Sequence, residues 1–183
     1  IKTGQQPSPN FDDGLLTELV ADAMLWSDAN QGATIAIQNG GGLRASIDAG
    51  EITMGEVLTV LPFSNTLATV EITGGDVIEA LENGVSDIEN GAGRFPQVAG
   101  LKYTYSKSAP VGSRVSEVMV GSGDSWMPID EAATYKIVTN NYNRGGGDGY
   151  TTFADGENPY DFGPPLEQVL ADYIADQGGE YTP

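Results

Sequence analysis

The sequence predicts one α+β domain with a mixed sheet. Segments with apolar residues at helical spacing are interspersed with strand-like segments, and no linker or fixed-period repeat divides the 183 residues. Hydrophobic residues make up 39% of the chain, and their periodic clustering indicates a folded protein with a substantial core rather than a disordered one. We therefore interpret residues 1–183 as a single domain.

The first third of the chain predicts a helix, a strand and a second helix. Residues 12–27 carry apolar side chains on one helical face, behind two aspartates that can cap the helix. Residues 33–38 form a short apolar run, typical of a buried strand, that leads into three consecutive glycines. Thr53 and Glu56 have the spacing of a capping box, so a short helix is expected to begin there and to stop at Pro62.

The middle of the chain predicts a strand, a helix and a long loop. Residues 67–73 alternate apolar and polar side chains, as in a half-buried strand. Thr73 and Asp76 again have capping-box spacing, and Gly84 is a suitable end for the helix that they begin. A loop rich in glycine and asparagine, residues 83–95, separates this helix from the strands that follow.

The last part of the chain predicts three strands and a closing helix. The strands are expected at residues 100–107, 114–120 and 134–140, with residues 121–130 forming the turn between the last two. Residues 163–177 place apolar side chains at helical spacing, so the chain is expected to close with a helix that has proline in its first turn.

Composition excludes several classes of function. With 26 acidic and only 8 basic residues the net charge is −18, which argues against nucleic-acid binding and against anionic membranes. No apolar run approaches the roughly 20 residues of a membrane-spanning helix. The chain has no cysteine and no histidine, so thiol chemistry, the commonest general base and the commonest transition-metal ligand are all missing. The chain is therefore expected to hold a ligand rather than to cleave one.

Two glycine runs, residues 40–42 and 145–147, each lie beside one of the few arginines, Arg44 and Arg144, where a predicted strand has ended. Glycine lets backbone N–H groups approach a ligand, and an adjacent arginine can grip a phosphate with several donors. The alternative is that the glycines only permit tight turns. The two runs together favour a ligand site.

Known phosphate-binding and catalytic motifs fit the chain poorly. Gly40, Gly42 and Ala45 match the spacing of a dinucleotide fingerprint, but the helix that should follow is missing. There is no lysine for a Walker P-loop, and the calcium-binding glycine repeat that the second run superficially resembles occurs only once. Ser46 has no histidine to activate it, and a glycosidase-like pair of carboxylates has no support.

Three motifs carry a resemblance that covers nearly the whole chain. They are N-G-G-G-x-R at residues 39–44, L-P-F-x-N-T at 61–66 and N-Y-x(3)-G-G-D-G at 141–149, and their order is highly specific. On these motifs the chain is identified as a member of the C-terminal domains of the 5′-nucleotidase family, which includes periplasmic UDP-sugar hydrolases and ecto-5′-nucleotidases. The resemblance implies a layered α/β/β/α fold.

The resemblance also implies a second domain. In the family an N-terminal metallophosphatase domain carries two divalent metal ions on Asp, His and Asn ligands, together with a catalytic His–Asp pair. The absence of histidine leads us to expect that this chain is the C-terminal half alone, with no catalytic residue, metal site or cofactor of its own. The implied partners are a nucleotide or nucleoside and the N-terminal domain in cis. The implied location is extracellular, periplasmic or on the cell surface.

The resemblance assigns three residues to the phosphate side of a substrate pocket. Arg44 matches the arginine that contacts the substrate phosphate, and Asn39 and Gly41 match positions that line the same pocket. Members usually carry a second arginine just before the first helix, and residues 1–14 contain none. Either phosphate binding is weaker here, or Arg144 compensates.

Four further residues are assigned to the nucleoside. Phe63 and Tyr142 match two aromatics that sandwich the base, and Asn65 matches an asparagine next to it. Asp148 matches the acid that binds the ribose hydroxyls. Two aromatic faces clamp any base without reading its identity, and a carboxylate suits a diol. Residues 16–18 read Leu-Thr-Glu where family members usually have Leu-Gly-Asn, and the chain is strongly acidic. These departures favour the alternative of an orphan binding or adhesion module with a degenerate pocket.

Overall fold

The structure, a computed structural model, describes residues 15–28, 31–47 and 50–178. The aspartate cap expected before the first helix lies outside the described residues. The helices are α1 (Leu15–Asp28), α2 (Met54–Val60), α3 (Gly74–Gly84), α4 (Asn141–Arg144), α5 (Thr151–Ala154) and α6 (Leu166–Asp176). The strands are β1 (Ile35–Asn39), β2 (Leu67–Thr73), β3 (Pro96–Ala99), β4 (Leu101–Tyr105), β5 (Val115–Ser122), β6 (Ser125–Pro128), β7 (Thr134–Asn140) and β8 (Glu157–Tyr160).

The strands form two sheets. The larger sheet has the order β3-β1-β7-β2-β8, with β1 and β7 parallel and the other neighbours antiparallel. The smaller sheet, β4-β5-β6, is antiparallel throughout. Two sheets flanked by helices, one of them mixed, confirm the predicted layered α+β class.

Apolar cores cover both faces of the larger sheet. On one face, Ala36 and Val138 belong to a cluster with the buried side chains of α1, α2 and α6. On the other face, Ile37 and Ile137 pack with α3, α5 and the smaller sheet. Because neighbouring residues of β1 and β7 point to opposite faces, each of these strands contributes to both cores.

The burial of β2 differs from the prediction of a half-buried strand. Residues 67–70 are all buried, including Thr69, which is 1% exposed. Leu67 belongs to the core that contains α1, α2 and α6, and Val70 and Ile72 belong to the core that contains α3 and α5, so both faces of the strand are covered. The alternation of apolar and polar residues shows which side chains are polar, but it does not predict that a second core covers the other face of the strand.

Three strands, β3, β6 and β8, were not predicted, and β6 falls within the segment expected to be a turn. Each is four residues long, contains a proline and lies at the edge of its sheet. Proline lacks the N–H of a ladder bond and is tolerated mainly at sheet edges, so a sequence pattern gives little sign of such strands. The one-turn helices α4 and α5 were missed as well.

The predicted helix starts are confirmed at both capping boxes. The Thr53 hydroxyl accepts a hydrogen bond from the Glu56 N–H, and the Glu56 carboxylate accepts one from the Thr53 N–H. Thr73 and Asp76 make the same reciprocal pair at the start of α3. At α6 the prediction needs correction, because Pro165 is the N-cap residue rather than a residue of the first turn.

Candidate functional site

The predicted site residues lie at one edge of the larger sheet, namely the edge formed by the ends of its strands rather than by an outer strand. Strands β1 and β7 are parallel, so their C-terminal residues, Asn39 and Asn140, lie at the same end. Strand β2 runs antiparallel to β7, with Leu67 opposite Asn140, so the turn that precedes β2 arrives at this edge too. The carboxyl ends of such strands are where ligands commonly bind in α/β sheets.

A network of buried amides underlies this edge. Asn140 and Gln38 are 0% exposed and Asn39 is 5% exposed. The Nδ2 group of Asn140 donates to Oε1 of Gln38 at 2.8 Å and to Oδ1 of Asn39 at 2.9 Å. Sequence reasoning identified Asn39 but missed the other two, although polar residues that end apolar strands were a usable signal. The network turns the Nδ2 group of Asn39 toward Asp148.

Asp148 is held at both carboxylate oxygens. Its Oδ2 accepts a hydrogen bond from Nδ2 of Asn39 at 2.7 Å, and its Oδ1 accepts one from the Tyr142 hydroxyl at 3.0 Å. Nδ2 of Asn83 donates to its backbone carbonyl at 3.1 Å. Its φ of 55° lies in the left-handed region, which is uncommon for a residue with a side chain. The carboxylate is therefore fixed in place while the residue stays partly exposed.

Tyr142 is fixed at both ends of its side chain. Its ring is 48% exposed, and a Cβ atom on Gly147 would lie 2.5 Å from a ring carbon. Its hydroxyl also accepts a hydrogen bond from the Asp148 N–H at 3.2 Å. Gly147 is thus needed so that the tyrosine ring can lie against the backbone, which accounts for one glycine of the second run.

The hydrogen bond to Asp148 raises the pKa of Tyr142 above its ordinary value, with partial burial adding to the effect. We expect Asp148→Asn to lower this pKa, because the neutral amide no longer favours the protonated phenol. An NMR titration of the tyrosine ring carbons would measure it, with Tyr142→Phe identifying the signal. An unchanged tyrosine pKa in Asp148→Asn would show that the hydroxyl does not bind the carboxylate.

Arg44 and Phe63 form the other side of the site. Phe63 lies in the turn after α2 and is 57% exposed. The guanidinium carbon of Arg44 lies 5.9 Å from the centre of its ring, and Nη1 of Arg44 donates to the Gly41 carbonyl at 3.1 Å. Arg44 has no acidic ion-pair partner within residues 15–28, 31–47 and 50–178. It is therefore an exposed cation available to an anionic ligand.

The turn that carries Phe63 is tied to the segment that carries Tyr142. The Thr66 N–H donates to Oδ1 of Asn141 at 3.1 Å, and the Thr66 carbonyl accepts from the Asn141 N–H at 2.9 Å. The carbonyl of Asn65 accepts from the Leu166 N–H of α6 at 2.9 Å. Asn65 is partly buried in this turn, two residues after Phe63. Asn65 therefore lies in the turn next to this segment, no described contact involves its side-chain amide, and its place beside a base stays a prediction.

Arg144, the candidate for a second phosphate contact, is paired with a carboxylate of the chain, and its role toward a phosphate stays a prediction. Its Nε and Nη2 atoms donate to the two carboxylate oxygens of Asp161 at 2.5 and 2.6 Å. This bidentate pair balances the charge of the guanidinium and occupies the edge formed by Nε and Nη2. Asp161 lies 17 residues further along the chain, and nothing in the sequence marked it as the partner.

The first glycine run also has a packing role. The Gly41 N–H donates to the Gly93 carbonyl at 2.7 Å, and a Cβ on Gly41 would lie 2.9 Å from the Gly93 Cα. Residues 40–42 form a single 3₁₀ turn, so the long helix of a dinucleotide site does not follow β1.

Among the described residues, no cluster of three or more acidic, His or Cys side chains could hold a metal ion.

Comparison with known proteins gives consistent matches. The family model for the 5′-nucleotidase C-terminal domain matches residues 2–155. The trifunctional nucleotide phosphoesterase protein YfkN of Bacillus subtilis is 42% identical over 183 residues, which is 98% of this chain and 12% of that protein. Within the described residues, no helix is long and apolar enough to cross a membrane.

Two solved structures resemble the fold closely. A 5′-nucleotidase precursor from Thermus thermophilus has a TM-score of 0.86 and 46% identity, covering 88% of this chain and 32% of that one. The NAD nucleotidase of Haemophilus influenzae has a TM-score of 0.79 and 30% identity, covering 95% of this chain and 31% of that one. The chain therefore spans about a third or less of the length of these proteins.

Proposed function

The chain belongs to the family of 5′-nucleotidase C-terminal domains, and we propose that it is the substrate-binding part of a 5′-nucleotidase-type phosphoric ester hydrolase. The observation that carries the proposal is the fixed carboxylate of Asp148 beside the exposed ring of Tyr142. The exposed side chains of Phe63 and Arg44 lie at the same sheet edge. These groups supply an acceptor for a ribose, two faces for a base and a cation for a phosphate.

Each group suits one part of a nucleotide. Stacking of a base on an aromatic side chain contributes about 1–3 kcal/mol per base and does not depend on which base it is. The carboxylate of Asp148 accepts hydrogen bonds from the ribose hydroxyls, and the Arg44 guanidinium makes charge-assisted bonds to phosphate oxygens. Asn39 and Gly41 line the pocket between these two residues, and Asn65 lies beside the base.

The hydrolytic chemistry would come from outside these residues. The proposed longer protein would contain an N-terminal metallophosphatase domain with two divalent metal ions, and such ions would supply a hydroxide at neutral pH by lowering the pKa of bound water. The chain presents the phosphate to them and is inactive alone. We also propose, on the basis of the family, that the protein acts outside the cytoplasm, in the extracellular space, in the periplasm or on the cell surface.

We expect the 183-residue chain to bind adenosine weakly and 2′,3′-dideoxyadenosine more weakly still. Without the hydroxyls, the acceptor positions of Asp148 would be left unpaired beneath the ligand, which is unfavourable. Titration followed by NMR would measure both affinities. Replacing both Phe63 and Tyr142 by alanine should abolish binding of either nucleoside.

A matched control comes from a second exposed aromatic pair, Tyr160 and Phe162, which are 43% and 85% exposed and whose ring centres lie 6.0 Å apart. Replacing both by alanine should leave adenosine binding unchanged. Equal affinity for the two nucleosides, or adenosine binding that survives loss of Phe63 and Tyr142, would contradict the proposal. Failure of the chain and of the longer protein to bind any nucleoside would favour an orphan binding or adhesion module.

A further inference from the structure

We infer that the hydroxyl group of Tyr142 determines sugar specificity, because it positions the Asp148 carboxylate so that one free acceptor on each oxygen faces a vicinal diol. This inference rests on the proposed nucleoside site. It gives Tyr142 a role that a phenylalanine ring in the same place would not have. Tyr142 is then a positioning residue for Asp148 in addition to a stacking surface.

The first step is a count of acceptor positions. A carboxylate offers about four lone-pair positions, two on each oxygen. The amide of Asn39 occupies one on Oδ2, and the hydroxyl of Tyr142 occupies one on Oδ1. Among the described residues no further donor binds this carboxylate, so one position remains on each oxygen of Asp148. Two free acceptors, one on each oxygen, match the two donors of adjacent ribose hydroxyls.

The second step concerns rigidity. A carboxylate held at one oxygen can turn about its last bond, whereas one held at both oxygens keeps a single orientation. The Tyr142 hydroxyl is itself placed by the Asp148 N–H at 3.2 Å, and its ring is held by the close backbone of Gly147. On the other side, Asn140 fixes the amide of Asn39. The diol therefore meets an acceptor that is already oriented, which reduces the ordering cost of binding.

The third step is that base and sugar recognition share one side chain. The ring that stacks on the base carries the hydroxyl that orients Asp148. Contributions from residues in one hydrogen-bonded unit are not additive. The loss of the Tyr142 hydroxyl should therefore reduce sugar recognition only when Asp148 is present.

Tyr142→Phe tests the inference, since it removes the hydroxyl and keeps the ring. In the 183-residue chain we expect the Kd for adenosine to rise about fivefold, the equivalent of one ordinary hydrogen bond, with the Kd for 2′,3′-dideoxyadenosine unchanged. In an Asp148→Asn background, Tyr142→Phe should leave the ratio of the two Kd values unchanged. Tyr160→Phe is the matched control, because the described partner of the Tyr160 hydroxyl is the backbone carbonyl of Phe162, at 3.0 Å.

Three outcomes would overturn the inference. The first is a Tyr142→Phe chain that keeps the wild-type preference for adenosine. The second is tighter adenosine binding, which would make the hydroxyl a competitor of the ribose. The third is an equal loss of both nucleosides, which would indicate a purely structural role. A wild-type chain that fails to distinguish the two nucleosides would instead overturn the proposed function, so the two failures are separable.

Discussion

Replacement of Arg44 by alanine should lower kcat/KM for AMP by about 10- to 200-fold in the proposed two-domain enzyme, with an unchanged thermal midpoint. A charge-assisted hydrogen bond contributes about 1.5–3 kcal/mol, and that range converts to this loss of rate. The side chain is exposed, and its described polar contact within the chain is the 3.1 Å bond to the Gly41 carbonyl. Its removal therefore leaves no buried group unpaired.

The control for Arg44 is Lys102→Ala, which removes the same charge from a strongly acidic chain at a distance from the site. Lys102 lies on β4 in the smaller sheet, with its ammonium 3.9 Å from the centre of the Trp126 ring. Its loss should leave kcat/KM unchanged. Equal kinetics for Arg44→Ala and the unmodified enzyme would contradict the phosphate contact. A lowered thermal midpoint would show that Arg44 serves folding instead.

Local signals in the sequence predicted the elements that depend on local chemistry. Both capping boxes are formed by residues three apart, so the helix starts that they form can be predicted without knowledge of the rest of the chain. Strand β7 lies at residues 134–140 as expected. Such elements carry enough β-branched or capping residues for the pattern alone to define them.

Non-local pairing decided the elements that were missed. Strand β8 contains Asn158 at a positive φ and Pro159, and it becomes a strand because the edge of β2 is available to it. Long-range contacts also explain why β2 is buried on both faces, because its two cores come from helices elsewhere in the chain. A period-2 pattern describes one strand, whereas the order of strands in a sheet depends on contacts between residues far apart in sequence.

The candidate site shows the same division. The glycine runs indicated its location, but the sequence did not show which contacts require glycine at individual positions. The backbone of Gly93 leaves no room for a side chain at Gly41, and the ring of Tyr142 leaves none at Gly147. Arg144 looked equivalent to Arg44 in sequence, and only the fold brings Asp161 to it. The specific roles rest on the motif resemblance, and they stay predictions until ligands are measured.

Replacement of Asn140 by alanine should destabilise the fold by about 2–4 kcal/mol, which lowers the thermal midpoint by roughly 5–15 °C in a domain of this size. Asn140 is 0% exposed and caps α4, accepting a hydrogen bond from the Asn143 N–H at 2.8 Å. Loss of a cap costs about 1 kcal/mol. The oxygen of Gln38 would also lose the 2.8 Å bond from Asn140 inside the protein.

Two further variants separate the cap of Asn140 from its amide network. Asn140→Asp keeps the cap acceptor but turns a carboxylate toward the oxygens of Gln38 and Asn39, so the folded-state pKa of the new carboxyl should rise above its unfolded value. Its destabilisation should therefore be smallest below the ordinary aspartate pKa of about 3.9 and should grow as the pH rises. Asn90→Ala is the exposed control, because the described hydrogen bond of the Asn90 side chain is to Asp87 within its own turn. Thermal unfolding at several pH values would measure all three. A pH-independent loss in Asn140→Asp, or an Asn140→Ala chain as stable as the Asn90→Ala control, would mean that the buried amides do not support this edge of the sheet.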